Sequence, residues 1–530
     1  MKQQFDVLVV GCGPVGGMAA CYLAQQGLTV AVIERNEHGY PYPRAVNLDF
    51  FTLTVLQELL GEEINKIDIS PWEEAYYFLD KNNLNAPFAD AHFSPVSELG
   101  APNNFIYQPK VEEVLRNQVD QHPNITTFFN HGAMKLHREG DMTFVTIQHM
   151  ADETFSTLSG KFVLGCDGGG SFVRKQIGHN LQSLGDAVLF LVVDAIVPHE
   201  KFKGRTGGYK VGGLQIVDKQ RPTTFLPMYV NNRCRWEFRL NPDDDIAAIQ
   251  SPENIYQLLE PFANREDVTL VRNTVYKFNS LIATKWRNGR IFLCGDAAHQ
   301  TSPFIGQGLN MGIRNTINLC QKIVLFHHGH AREEIFDAYQ AECFDPTKGL
   351  IKEALFMGRM LFNTSLFANL LRSTISTIRR KKPIDIGPQL TPKVEQYPNS
   401  NASKRSSKAY GKIGITTKEG EQFPLLFFDI YSCRIFCRSV ESLDQLASLL
   451  GSPTIIRPRF YHVVQEFSEQ AEGYQEIKST DPAMVRKLFG GNSYILMGHN
   501  NNMIGMYKSG QEAQLIARYK EHFNLISLAN

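Results

Sequence analysis

The sequence predicts an α/β protein built from a parallel-sheet domain, a strand-rich segment inserted into it, and a small α/β module at the C-terminal end. Three observations predict this. A short apolar strand near the start runs through a glycine turn into a helix of small residues. A second strand, Arg290–Cys294, ends in Gly295-Asp296 and leads to another helix. Between the two, residues 183–280 turn strand-rich. At 530 residues the chain also exceeds what one core organises, which suits two or three domains.

Taken in order, Val7–Val10 is a run of the type buried on both faces of a parallel sheet, Gly16–Gln26 suits a closely packed helix, and Thr29–Ile33 is a second strand. Val111–Gln118 reads as a helix, and the period-two stretch Thr143–Ile147 marks an antiparallel hairpin region around 125–160. Phe162–Leu164 is a strand ending in a Gly/Asp turn. Ala187–Val193, Gly213–Val217 and Arg235–Leu240 follow as strands of a sheet laid over a pocket. After Arg290–Cys294 comes a helix, Leu309–Phe326, then an amphipathic stretch from Tyr339 to about Ile378. Prolines 383, 388, 392 and 398 with the Ser-rich 401–407 mark a linker at 383–410. Leu425–Ile430, Arg434–Cys437, Ser493–Met497 and Met503–Tyr507 are expected strands of the last module.

Lys+Arg and Asp+Glu both total 54, so the formal net charge is zero and no electrostatic footprint for nucleic acid or an anionic membrane is present. Nine cysteines, scattered and largely in apolar runs, fit free thiols of a reducing compartment. No apolar run reaches the length of a membrane span, and Asp6 with the Gly11–Pro14 break argues against a signal peptide. The cytoplasm is the expected location and no metal site is expected. The stretch 340–380, ending in Arg379–Lys382, is read as a helix or helix pair packed on the domain, with a membrane-surface helix as the alternative.

Gly11-Cys12-Gly13-Pro14-Val15-Gly16 is a G-x-G-x-x-G between strand and helix. Gly11 permits the tight turn, Gly13 the approach of a pyrophosphate, and Gly16 close helix–strand packing. Glu34 ends the second strand where a carboxylate accepts ribose hydroxyls, and Arg35 beside it joins the cofactor-binding set. This much predicts a Rossmann-like dinucleotide site and leaves FAD and NAD(P) both open. At Gly295-Asp296, a strand-end carboxylate suits a polyol chain. Pro303, Gly306 and Gly308 let backbone lie flat against a ring, and the helix from Leu309 aims its N–H groups at negative charge.

Together these stretches closely resemble the single-component FAD-dependent aromatic hydroxylases of the p-hydroxybenzoate hydroxylase and phenol hydroxylase type, nearest in look to 3-(3-hydroxyphenyl)propionate and polyketide hydroxylases. Asp296, Pro303, Gly308, Leu309 and Asn310 fall on family positions. Tyr42-Pro43-Arg44-Ala45-Val46 resembles the segment whose arginine meets flavin and pyrophosphate. Tyr107-Gln108-Pro109 resembles the one whose glutamine touches the ribityl, and Gly165–Arg174, with Asp167-Gly168, the one tied to FAD and nicotinamide. Gly169-Gly170 and Phe304-Ile305 depart from the usual pattern.

The resemblance implies a glutathione-reductase-like FAD domain (1–182 and 281–382), a substrate-binding sheet (183–280), the linker 383–410, and a thioredoxin-like module (411–530) without redox cysteines, structural or oligomerising; a homodimer is compatible with it. It implies FAD as cofactor, NADPH or NADH as transient reductant, and O2 with a small phenolic or polycyclic aromatic as substrates, hydroxylated through a flavin C4a-hydroperoxide. Epoxidation, Baeyer–Villiger oxidation, antibiotic-inactivating hydroxylation and a non-oxygenating FAD redox or binding role are the alternatives. Asp49, Tyr229 and Arg239 are the candidate catalytic residues. Gln215, Tyr229, Arg239, Pro303 and Phe304 are expected to line the substrate pocket, and the resemblance implies that His299 is structural or near the diphosphate.

Overall fold

Apolar strands followed by crossover helices build the first layer. The computed structural model describes residues 3–72, 76–80, 87, 89–92, 103–203, 212–218, 220–228, 230–362, 384–385, 414–417, 422–424, 434–437, 459–464, 475–479, 482–489, 491–497 and 503–522. Its eight-stranded sheet runs Arg287–Asn288, Ile291–Leu293, Phe155–Gly165, Gln3–Val10, Val30–Glu34, Ile125–Phe129, with His131–Glu139 and Met142–His149 extending it beside Phe155–Gly165. The pairs among Ile291–Leu293, Phe155–Gly165, Gln3–Val10, Val30–Glu34 and Ile125–Phe129 are parallel. Val7, Leu8 and Val9 are fully buried, as an apolar run covered on both faces must be. The helix Pro14–Gln25 starts on a proline and buries Gly16, Gly17, Ala19 and Ala20, the small residues that admit close packing. The expected hairpin around 125–160 is present from His131 onward, whereas Ile125–Phe129 joins the parallel sheet.

The strand-rich segment forms a nine-stranded sheet ordered His299–Gln300, Thr269–Ala283, Leu181–Ile196, Arg233–Arg239, Thr223–Leu226, Gly213–Val217, Tyr76–Asp80, Ala89–His92, Ile384–Asp385. It is therefore wider than residues 183–280. Four strands from elsewhere satisfy hydrogen-bonding edges that the segment alone would leave open. Strand alternation splits its faces. Leu191, Val193, Phe225, Cys234, Trp236 and Phe238 form a core with Ile255 and Leu259 of the helix Pro252–Leu259. The opposite face carries Val192, Thr224, Arg235 and Glu237, and lines a cavity.

The chain divides into two units: Met1–Ser94, Ala101–Thr316 and Cys343–Leu390, and then Pro95–Gly100, Ile317–Glu342 and Thr391–Asn530. The second contains a seven-stranded mixed sheet ordered Gln422–Pro424, Gly414–Thr417, Gln475–Ser479, Arg459–Val464, Arg434–Cys437, Tyr494–Met497, Met503–Tyr507. Arg434–Cys437, Arg459–Val464 and Gln475–Ser479 run parallel. The expected strands at 434–437, 493–497 and 503–507 are present. That at 425–430, the helix beyond Phe362 and nearly all of the linker lie outside the described residues. Each described cysteine is free, and all but Cys166 are buried. Among the described residues, no helix is long and apolar enough to cross a membrane.

Candidate active site

Three adjacent parallel strands bring distant motifs together at their carboxyl ends. Val10 lies opposite Ile33 and Gly165, and Gly165 opposite Leu293. The N–H groups of Gly11, Cys166 and Cys294 donate to the carbonyls of Ile33 (2.7 Å), Val10 (2.8 Å) and Gly165 (2.9 Å). The loops Gly11–Gly13, Cys166–Gly170 and Cys294–Asp296 thus emerge side by side, where a parallel sheet opens a ligand crevice.

At the first loop, Gly11 has φ +100° and its missing Cβ leaves room for the Cys166 carbonyl; an added Cβ would stand 2.4 Å from that oxygen. Gly16 is tighter still, with the Gly11 carbonyl oxygen 2.0 Å from where its Cβ would be. No side chain caps the helix at Gly13 and no acid sits in its first turn, so its N-terminal N–H groups suit an anion. Gly13, Pro14 and Val15 line the cavity. Glu34 accepts from the N–H groups of Cys12 (2.8 Å) and Asn36 (2.9 Å), which fixes the carboxylate beside the turn. Arg35 is exposed and outside the cavity lining.

The arginine segment is held from below by a buried ionic cluster. Asp194 accepts from Arg235 (Nε, 2.7 Å) and Arg272 (Nη2, 2.7 Å). Arg235 also donates to the carbonyls of Pro43 (2.6 Å) and Arg44 (2.8 Å), and Arg272 to that of Pro43 (2.9 Å). From above, the Gln108 carbonyl accepts from the N–H groups of Arg44 (3.1 Å) and Ala45 (2.5 Å), while its amide donates to Glu112 (2.6 Å). With its backbone so clamped, Arg44 keeps its guanidinium at the cavity wall, 4.5 Å over the Tyr40 ring. Gln108 lines the cavity too, yet its acceptor is spent on positioning Arg44.

At the third loop Asp296 opens onto the cavity, and among the described residues no hydrogen bond or ion pair engages its carboxylate. A carboxylate so placed fits a hydroxyl-bearing ligand. Pro303, Gly306, Gly308 and Leu309 line the same cavity. Asn310 is wholly buried; it donates to the Gly306 carbonyl (3.0 Å) and accepts from the Asp49 N–H (3.0 Å), so it shapes the loop from behind.

That contact corrects one expectation. Asp49 is a helix cap: one oxygen accepts from the Thr52 N–H (2.8 Å) and the other pairs with Arg314. With both oxygens committed and outside the cavity lining, it is no base. Asp167 likewise accepts from Ser171 Oγ (2.6 Å) and the Val173 N–H (3.0 Å), leaving Gly168 to line the cavity. Arg174 ties this loop to the third, donating to the Gly169 (2.7 Å) and Ala297 (2.8 Å) carbonyls. His299, buried and bonded to Asn315 (3.1 Å), has its pKa lowered to about 3 by burial and the Arg314 charge, as befits a structural residue.

The cavity encloses about 470 Å³. Its far wall is the inner sheet face, where Tyr76, Phe78 and Phe278 supply apolar surface and Gln215, Thr224 and Glu237 polar groups, while Trp72, Phe304 and Met357 add apolar surface from outside that sheet. Gln215, Pro303 and Phe304 line this cavity. Arg239 is outside the lining: it pairs with Phe190, two residues along the strand from Glu237. Tyr229 lies outside the described residues. Sequence reasoning missed Glu237, although alternation with Trp236 and Phe238 already puts it on one face with Arg235.

Comparison with known proteins agrees with this geometry. The FAD binding domain family matches residues 4–354. The 3-(3-hydroxy-phenyl)propionate/3-hydroxycinnamic acid hydroxylase of Shigella sonnei (strain Ss046) is 29% identical over 431 residues, 79% of this chain and 72% of that one. Two crystal structures share the fold. The flavin-dependent monooxygenase PieE, in complex with FAD and substrate, has a TM-score of 0.78 at 16% identity, covering 98% of this chain and 99% of that one. Aklavinone-11 hydroxylase, in a ternary complex with FAD and aklavinone, has 0.74 at 19%, covering 99% and 100%. The match over residues 4–354, spanning all three convergent loops, means that this chain belongs to the FAD binding domain family.

Proposed function

We propose that the protein is an NAD(P)H-dependent aromatic monooxygenase that hydroxylates a phenolic or polycyclic ring. The observation that carries this is the single cavity: FAD-motif residues (Gly13, Arg44, Asp296, Pro303, Leu309) form one wall and an aromatic-rich sheet face the other. FAD, when bound and reduced by NADH or NADPH, supplies the two electrons and the activation of O2 that ring hydroxylation needs. The chain supplies the rest. The helix start at Pro14 and Arg44 suit the pyrophosphate, Glu34 the ribose and Asp296 the ribityl hydroxyls. The Pro303–Leu309 loop suits the ring, while Trp72, Phe78 and Phe304 exclude water from an apolar substrate.

The same reading divides the chain into FAD-binding residues 1–182 and 281–382, substrate sheet 183–280, linker 383–410 and module 411–530. Parallel Arg434–Cys437 and Arg459–Val464, with the antiparallel strands Tyr494–Met497 and Met503–Tyr507 alongside and the helix Glu512–His522 following, support a thioredoxin-like assignment for the last. A cytoplasmic location fits the free cysteines.

Asp296→Ala is expected to weaken FAD about ten- to a hundredfold, the loss for hydrogen bonds to a charged group. Titrating deflavinated protein with FAD by fluorescence checks it; unchanged affinity removes Asp296 from the cofactor site. The activity is tested on a panel of phenols and polycyclic aromatics, scoring substrate-stimulated NAD(P)H oxidation and product mass. A product with one added oxygen is expected. A flavin-loaded enzyme that no aromatic stimulates sinks the proposal.

A further inference from the structure

Strand register lines up five residues across the inner sheet face. Phe78 pairs with Gln215, Gln215 with Thr224, Thr224 with Glu237, and Glu237 with Val192, and all five line the cavity. Side chains on neighbouring strands at one register point the same way, so this row is a continuous strip of cavity floor. Its polar stretch is internally wired except at one place. The Gln215 carbonyl accepts from Thr224 Oγ1 (2.8 Å) and Tyr76 Oη (3.4 Å), and its amide donates to the Thr223 carbonyl (3.1 Å). Thr224 therefore turns its proton away from Glu237.

Glu237 is 7% exposed, and among the described residues nothing donates a hydrogen bond to its carboxylate. Arg235, two residues back on the same face, attracts it by charge. Its guanidinium, however, spends four of its five N–H donors on Asp194, Pro43 and Arg44, and none is bonded to Glu237. On the other side of Glu237 stands Val192, which has none to give. Burial raises the Glu237 pKa against the pull of Arg235. A buried carboxylate with no donor is costly, and such groups nearly always find a partner. Here the one open direction is the cavity.

We propose that Glu237 is the residue that recognises the substrate's hydroxyl and takes its proton, so that the site selects a neutral phenol presented to the sheet and discriminates against an anionic substituent at that position. This rests on the hydroxylase reading above and specifies its substrate. As the ring is attacked, the phenolic O–H bond breaks and a Glu237 O–H bond forms. The electron pair left on the phenolate oxygen raises the electron density of the ring, and the proton returns when the product's O–H bond is restored. Thr224, whose hydroxyl oxygen remains free to accept, and Tyr76 border the same spot.

The test measures equilibrium binding to FAD-loaded enzyme by perturbation of the flavin absorption. The probes are 3-(3-hydroxyphenyl)propionate, 1-naphthol and 1-hydroxyanthraquinone, each with its O-methyl ether, and 1-naphthoate. Wild type is expected to bind the best phenol at least about tenfold tighter than its ether, the difference a hydrogen bond to a charged acceptor makes, and to bind 1-naphthoate worse than 1-naphthol. Glu237→Gln, which keeps a neutral acceptor, is expected to cut that ratio severalfold, and Glu237→Met to bring it near one. Hydroxylation of the best phenol at saturating concentration is expected to fall about a hundredfold or more in both variants, since neither side chain can take the proton. Neither variant strands Arg235, which keeps Asp194, and the unchanged FAD affinity of both checks that they fold. A phenol-to-ether ratio that survives in Glu237→Met, or tighter binding of 1-naphthoate, overturns the assignment. If no probe binds an enzyme that holds FAD, the hydroxylase reading fails with it.

Discussion

Replacing Asp194 with alanine is expected to destabilise the first unit by about 3–5 kcal/mol, the cost of breaking a buried ion pair from one side. Asp194 is 3% exposed and is the shared acceptor of Arg235 and Arg272, themselves 3% and 9% exposed. The pair itself need not be strongly stabilising, since desolvation offsets much of the attraction. Removing only the acid is different, because two guanidinium groups then face each other with only backbone carbonyls and, for Arg272, the Tyr276 hydroxyl (3.3 Å) to hold them. Those carbonyls belong to Pro43 and Arg44, so the loop presenting Arg44 loses its footing as well. Faster release of FAD is expected to accompany the lower denaturation midpoint. Arg272→Met, which leaves Asp194 bonded to Arg235, is expected to cost less than half as much. Chemical denaturation of the three proteins decides this; an Asp194→Ala midpoint within experimental scatter of wild type means that the cluster does not hold the loop.

The second large effect is expected at Gly16. Glycine to alanine inside a helix ordinarily stabilises by roughly 0.5–1 kcal/mol, because alanine has less backbone freedom to lose. At Gly16 the sign reverses. The new methyl would stand 2.0 Å from the Gly11 carbonyl oxygen and 3.1 Å from Cys166 Cβ. The first contact is with backbone, so no rotamer change relieves it, and the helix must move off the sheet at the point where the glycine turn is formed. Gly16→Ala is expected to purify without FAD and to unfold well below wild type, by several kcal/mol. Gly17→Ala is the control. Its methyl would meet only Leu115 at 3.5 Å, ordinary contact, so its stability is expected to stay within about 1 kcal/mol of wild type. Thermal unfolding with and without added FAD reads both, and equal behaviour of the two variants counts against the packing explanation.

These two positions differ in how far sequence could reach them. Gly16 is legible because its constraint is local: strand, turn and helix follow within a dozen residues, and the spacing reports the close approach. Arg290–Cys294 with Gly295-Asp296 is legible for the same reason. Asp194 is not, since an aspartate in an apolar strand carries no mark of the arginines opposite it. Its partners come from two other strands through register. Asp49 lies near a motif in sequence but is claimed by a helix cap and an ion pair, and Arg239 shares the face of Glu237 but lies beyond the lining; neither placement is marked in the sequence.

By itself, the sequence determined the dinucleotide turn at Gly11–Gly16, the Asp296–Asn310 segment and the alternation of the Arg233–Arg239 strand, all products of short-range sterics and strand periodicity. Only the tertiary structure decided that the carboxyl ends of three parallel strands abut, that Tyr76–Asp80 joins the inserted sheet, and that the polar face of Arg235 and Glu237 meets a cavity and not solvent. The physical reason is that alternation assigns a side chain to a face, whereas what covers that face depends on which distant strands pair beside it.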